Sequence, residues 1–321
     1  MPRVALLRLL AAAPALMLAA GAQAQPIGLG SSPQGTATYQ LAATVAKEIT
    51  ETLKLQARVQ PSSGTGAMIP LVNSGEIDFG FCNSLELYDS FNGVGTFDKR
   101  PNPDIRAVAV LYPFVNGIFV RADSPIKSVR DLKGKSIAYG FTSQEIIKTS
   151  VDAMLATAGL TIADARPVLV PNLVRGVDEL IAGRVDVTPF SPGSAKVTEA
   201  DAAVGGIRYL DLGNDPAAEA ALKKVFKTAY IARVNPAPHL VGVRAPAYMM
   251  HFDFTMFANI KVPAERVKAV VAMLVERKDA MAATTPPFRG LKAERLHINY
   301  GVPFHDGSLA YFKEKSIKES K

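Results

Sequence analysis

The sequence predicts an α/β fold of two similar lobes joined by a crossover hinge. Apolar strand segments alternate with amphipathic helical segments, the pattern of α/β architecture. The same order of elements returns about 110 residues later. A chain of 321 residues also exceeds the size at which a single core usually stops growing.

Taken in order, IGLG (27–30) is a strand, SSPQGTA (31–37) a loop, and 38–53 a helix whose apolar stripe runs through Leu41, Val45, Ile49 and Leu53. ARVQ (57–60) is the next strand, SSGTG (62–66) a loop, and AMIPLVNSG (67–75) a helix stopped by Gly75. IDFGFC (77–82) is a third strand. The echo begins at SIAYG (136–140), then the loop FTSQ, a helix through Ile147, Val151, Met154 and Leu155, PVLV (167–170), PNLVRGVDELIAG, and VDVTPF (185–190). Gly75 and Gly183 each stand where a left-handed residue ends a helix. They and Asp78 and Asp186 are assigned to structure.

Between the halves lies RAVAVLYPFVNGIFVRAD (106–123), two apolar runs broken at Pro113, which suits a crossover; HLVGVRAPAYMMHFDFTMFANI (239–260) brings the chain back. One lobe is therefore expected to hold 25–112 with about 240–321, the other about 113–239. A helix over 262–281, with Pro263 near its first turn, and a loop-rich tail complete the chain.

The first 25 residues, MPRVALLRLLAAAPALMLAAGAQAQ, read as a secretory leader: two arginines, an apolar run, then Ala22-Gln23-Ala24 at a cleavage position. Arg8 and Pro14 interrupt a run already short of the ~20 apolar residues that span a bilayer. A signal peptide over 1–24 and a soluble mature chain are expected. The formal charge of +7 is mild, and Arg3 and Arg8 account for two of it. With no Lys/Arg block and no aromatic stripe among basic residues, nucleic acid is not an expected partner. Cys82 is the only cysteine, so no internal disulfide forms.

The order of GTATYQ (35–40), SSGTGAMIPLVNSGEIDFGF (62–81), SVRDLKGKSIAYG (128–140), AGRVDV (182–187) and PFHDGSLAYFKEK (303–315) resembles the TAXI-type solute receptors of TRAP transporters. The resemblance covers essentially the whole mature chain. It implies a bilobed periplasmic-binding fold, a periplasmic location, a TRAP permease as membrane partner, and small organic acids or amino acids such as glutamate as ligands. Two segments depart from the family pattern. Thr38 stands where the first aromatic of a pair is usual, and His305-Asp306-Gly307-Ser308 replaces His-Pro-Gly-Ala. The first departure touches an expected ligand wall, so glutamate itself is not carried over. Two further readings share the scaffold: a ligand sensor read by a membrane protein, and a periplasmic hydrolase or cofactor-dependent synthase.

In open α/β sheets the binding crevice lies beyond the carboxyl ends of the strands. That rule selects the loops 30–39, 61–68, 83–86, 141–145 and 191–194. The ligand candidates are Ser32, Thr36, Thr38, Tyr39, Ser62, Ser63, Gly64, Thr65, Asn83, Ser84, Tyr112, Phe141, Thr142, Ser143, Gln144, Arg175 and Ser191. Several precede helices, whose free N–H groups and positive dipole ends hold a carboxylate without a charged side chain. Any one of the hydroxyls also serves simply as a helix cap. Tyr39 and Tyr112 are the aromatic candidates, and Arg175 is the arginine nearest a ligand loop.

Enzyme chemistry has weaker support. Gly64-Thr65-Gly66-Ala67 lacks the lysine of a phosphate loop. No G-x-S-x-G elbow exists. The four histidines, at 239, 251, 297 and 305, form no zinc-ligand spacing, and His305 reads as a structural hydrogen-bonder. No catalytic residue, metal or organic cofactor is expected, and a monomer is.

Overall fold

The computed structural model describes residues 26–320, so the leader assigned to 1–24 lies outside the described residues. Strand β1 (Ile27–Ser31) is buried along its whole length, as a strand covered on both faces must be. It runs parallel to β2 (Ala57–Pro61) on one side and β3 (Phe79–Asn83) on the other. Helices α1 (Ala37–Leu53) and α2 (Thr65–Ser74) make the two connections. The four-residue spacing of Leu41, Val45 and Ile49 lays one face of α1 against the sheet, and all three are buried. Gly75 ends α2 with φ of 87°, its N–H returning to the carbonyls of Leu71 and Val72.

The second lobe repeats this plan. Strands β5 (Ser136–Gly140) and β6 (Arg166–Val170) pair in parallel, with α4 (Ile146–Ala156) and α5 (Leu173–Ile181) beside them. The chain then returns next to β5 through a bridge between Ile137 and Val187. The internal repeat extends to single bonds: Gly28 N donates to Asp78 Oδ2 and Ser136 N to Asp186 Oδ2, each at 2.8 Å and each across 50 residues. Both aspartates thus tie the first strand of a lobe to the entry of its third, the structural role expected of them.

Two long strands join the lobes. In β4 (Ile105–Arg121) the residues 105–116 pair with β10 (Ala247–Asn259), whereas 117–121 pair with β7 (Thr188–Phe190) and β8 (Ile207–Tyr209). In β10 the residues 254–258 pair with β3, and 247–251 with β9 (Tyr230–Val234). The break expected at Pro113 does not occur. Pro113 faces Asp253 of β10, and β7 joins the other side of β4 only from Gly117 onward, so the missing N–H costs no ladder bond there.

Two further expectations are corrected. The strand read over 185–190 shortens to β7, because Asp186 and Val187 spend their N–H groups on the Ser136 carbonyl. The single helix read over 262–281 divides at Arg277 into α8 (Ala264–Glu276) and α9 (Lys278–Thr284). Arg277 Nε reaches back to the buried Glu48 at 2.8 Å, and Thr285 after α9 bonds Thr44 of α1 at 2.7 Å. Tertiary bonds to α1 therefore decide where that helix turns. His305 caps α10 (Asp306–Glu314) by accepting from Gly307 N at 3.2 Å, in keeping with the structural role read from sequence.

Candidate functional site

The two lobes meet over a cavity that is partly open to solvent and lined from both sides. Five helices open onto it. Thr36 and Thr38 come from the start of α1, Thr65 from α2, Asn83 and Glu86 from α3 (Ser84–Asn92), Ile146 and Ile147 from α4, and Leu173 from α5. The floor is formed by the joining strands: Phe114 and Asn116 of β4, Phe252 and Phe254 of β10. Phe114 stacks on Phe252 at 5.4 Å and on Phe254 at 4.9 Å between ring centroids, which fixes the wall as a rigid apolar surface.

Glu86 is the one ionisable oxygen acid on this lining. It is 2 % exposed, and α3 holds it through a local loop of bonds: Asn83 caps the helix by accepting from Glu86 N at 2.8 Å and returns Nδ2 to Glu86 Oε2 at 3.3 Å. Thr65 Oγ1 of α2 donates to the other oxygen, Oε1. Burial pushes the carboxyl up to about 8; the Thr65 bond opposes the rise and Asp89 adds to it. Asp89 is itself pushed up to about 6 by burial, with Lys227 opposing. Next to Glu86, the Cys82 thiol also lines the cavity, and burial first and Glu86 second push it well up, so it is a neutral apolar contact rather than a nucleophile.

A pH dependence of stability follows. Both carboxyls sit above their unfolded value, so the folded state binds more protons, and the stability they contribute is complete below pH ~4 and is lost as pH rises through ~6 and then ~8. Wild-type urea midpoints should fall between about pH 5 and about pH 8, and Glu86→Gln should remove most of that fall, a difference of order 4 kcal/mol. Parallel pH profiles for the two proteins would show that Glu86 is not the titrating group.

The lobes touch at the cavity mouth. A Cβ on Gly64 would lie 1.9 Å from the Ser143 carbonyl oxygen, so the α2 loop and the loop before α4 are in backbone contact. At the other end Lys196 N, in α6 (Ala195–Ala203), donates to the Gly35 carbonyl at 3.2 Å. Ser84 Oγ donates to Thr228, between α7 (Pro216–Val225) and β9, at 3.1 Å.

Of the residues selected from sequence, Ser32, Thr36, Thr38, Thr65, Asn83, Gln144 and Ser191 line the cavity. Thr36 is also the α1 cap, donating to Pro33 O and accepting from Tyr39 N. Ser63, Thr142 and Ser143 line a neighbouring polar cavity that shares Glu86. Tyr112 lines a third, beside Ser191, and is buried against Phe254 and Phe288.

Six selected residues lie elsewhere. Tyr39 is one helical step beyond Thr38, half-buried and outside the lining. Ser62 spends its hydroxyl on the carbonyls of Ser31 and Gly64, Gly64 is the lobe contact, and Ser84 bonds Thr228. Phe141 is fully buried, because left-handed φ at Gly140 (87°) and Phe141 (43°) ends the strand alternation that would have aimed it at the mouth. Arg175 is exposed and pairs with Asp178 at 2.8 Å.

Glu86, Phe114, Asn116, Phe190, Phe252 and Phe254 were not selected. A signal existed for the aromatic floor, two long apolar runs rich in Phe, and for Asn116, a polar residue inside such a run. Among the described residues no group of three or more His, Cys, Asp or Glu side chains is placed to hold a metal ion, and no helix is long and apolar enough to cross a membrane.

The model of the NMT1-like family matches residues 29–316. Among solved structures, the chain is similar to the alkanesulfonate-binding protein SsuA from Xanthomonas axonopodis pv. citri bound to MOPS, at 16 % identity and a TM-score of 0.47 over 84 % of this chain and 81 % of that one. It is similar to the amino acid ABC transporter substrate-binding protein AbpA from Streptococcus pneumoniae bound to L-arginine, at 13 % identity and 0.49 over 83 % and 95 %. A histidine kinase sensor domain with similarity to periplasmic binding proteins gives 13 % identity and 0.49 over 84 % and 98 %.

Proposed function

The chain belongs to the NMT1-like family, and from that premise we propose that it is a periplasmic solute receptor: it closes two lobes on a small carboxylate-bearing molecule, an amino acid or another organic acid, and delivers it to a TRAP membrane permease. The observation that carries the reading is the cavity itself, lined from both lobes and floored by the two strands that join them. A solute there touches both lobes only when they are closed, so binding and closure are one equilibrium.

The chemistry of the lining suits a small solute with one polar end. N–H groups in the first turns of α1 and α2 supply a carboxylate seat worth roughly 0.3–2 kcal/mol each, whereas those of Leu173 and Arg175 in α5 are taken by Gln144 and Asn172. The hydroxyls of Ser32 and Thr38 add neutral donors, and the rings of Phe114, Phe252 and Phe254 take the carbon skeleton. Delivery to a TRAP permease rests on the resemblance carried by GTATYQ, SSGTGAMIPLVNSGEIDFGF and PFHDGSLAYFKEK.

A thermal-shift screen of amino acids, organic acids and sulfonates tests the binding step. A bound solute present at about 100 times its Kd should raise stability by about 2.7 kcal/mol. Stabilisation by no carboxylate, or by sulfonates alone, would sink the carboxylate reading. For delivery, uptake in vesicles carrying the permease should require the loaded receptor.

A further inference from the structure

We infer that Glu86 is the ammonium-recognising residue of the cavity, and that the solute is therefore a primary amine with an apolar skeleton, an amino acid rather than a simple organic acid. The inference rests on the solute-receptor reading above and narrows it. Three observations lead to it.

First, the carboxyl group is positioned as a ligand would need it. Thr65 donates to Oε1 and Asn83 to Oε2, one bond to each oxygen. A carboxylate oxygen has room for two such bonds, so each keeps one acceptor site free. Glu86 lines the cavity between the lobes and the polar cavity beside it, so it sits at their junction.

Second, no cation of the described residues is paired with it. The cavity between the lobes is lined by no Lys, Arg or His, and among the described residues no ion pair includes Glu86. The charged neighbours are Asp89 on its own helix, and Arg100 and Glu145 across the adjoining cavity. A carboxylate buried without a cation is costly, and burial accordingly pushes this one up. An ammonium entering from the solute stabilises the ionised form as the carboxyl gives up its proton, so the pairing strengthens as pH rises toward about 8.

Third, the rest of the lining suits the remainder of such a molecule and repels a second acid. Phe114, Phe252, Phe254, Ile146 and Ile147 make the far wall apolar, and aromatic faces add a cation-π attraction for an ammonium. A dicarboxylate would set a second anion beside Glu86 with nothing to balance it. An α-amino acid with an apolar side chain places its ammonium at Glu86, its carboxylate at the helix starts and its side chain on the phenylalanines.

Calorimetric titration of the mature protein with matched pairs tests the assignment: L-leucine with 4-methylpentanoate, L-phenylalanine with 3-phenylpropanoate, and L-glutamate with glutarate. The expected result is that leucine or phenylalanine binds at least ~10-fold more tightly than its des-amino partner, since pairing a buried charge is worth at least one decade of Kd. Glu86→Gln should bring that ratio to about one, while its melting temperature stays at or above that of the wild type, because the variant loses a buried acid. A wild-type ratio near one, or a ratio unchanged in Glu86→Gln, overturns the role of Glu86 and leaves the carboxylate receptor standing. Binding of none of the six compounds overturns both. The wild-type ratio decides the matter even where the variant does not fold.

Discussion

Gly64→Ala is expected to weaken solute binding by about a hundredfold or more while leaving the unliganded protein folded. The added Cβ would overlap the Ser143 carbonyl at 1.9 Å, and that neighbour is backbone, which cannot swing aside as a side chain does. Gly64 itself has φ of 170°, extended geometry that alanine adopts freely, so the substitution strains nothing within its own lobe. Its position before α2 adds only the small cost of losing glycine at a helix cap. The penalty therefore falls on the closed arrangement alone. When only the closed form binds, apparent affinity drops by the factor by which that form is depopulated, and two decades correspond to about 2.7 kcal/mol of steric cost. Calorimetric titration with whichever carboxylate stabilises the wild type, and small-angle scattering with and without it, provide the check. Wild-type affinity together with wild-type contraction would show that the Gly64–Ser143 contact is not part of the bound state.

Asp253→Ala is expected to destabilise the protein by about 3 kcal/mol. Asp253 sits on β10, opposite Pro113, with its side chain 4 % exposed. It accepts from Arg295 Nη2 at 2.6 Å and from the Tyr300 hydroxyl at 2.5 Å, and so fastens the irregular segment around 293–300 to the joining strands. Burial first, and the bond to Asp253 next, push the Tyr300 phenol up, so it remains a donor throughout the accessible pH range. Alanine leaves both donors, each half-buried, without that acceptor. The figure is set at the lower end for a buried pair because Arg295 keeps 37 % of its side chain in solvent. Asp253→Asn, which still accepts a hydrogen bond, should lose less. Urea unfolding measures both, and a loss below about 1 kcal/mol for alanine would mean that the segment is held by packing alone.

How much of the site was legible in the sequence depends on the kind of signal each residue gives. Thr36, Asn83 and Ser32 follow strands and precede helices, a local pattern, and a local rule found them. The position of Thr65 at the start of α2 marks it as an anion contact, yet its hydroxyl donates to Glu86, a partner 21 residues away whose burial no local pattern reports. Glu86 itself looks like an ordinary first-turn acid of a helix. Only the packing of α2 and the second lobe over it removes its water and makes it a group in want of a cation.

The repeat behaved differently. Because the aspartate after each Gly75-type stop ties down the first strand of its own lobe, the 50-residue bond recurs in both halves and leaves its trace in sequence order. The crossover at 106–123 was readable as a connection but not as one continuous strand. Pro113 signals a break by its own chemistry, and it is the absence of a ladder partner on one side of β4 that cancels the signal.

By itself the sequence determined the α/β class, the duplicated order of elements, the helix stops at Gly75 and Gly183 and the loops that face the cleft, because each is written in spacing or in the conformational limits of single residues. The tertiary structure alone decided which side chains of those loops reach the cavity, that two long strands floor it with phenylalanines, and that Gly64 and Ser143 meet across it. Those outcomes depend on what one lobe removes from water on the other. Opposing surfaces set that desolvation, and no stretch of chain encodes it alone.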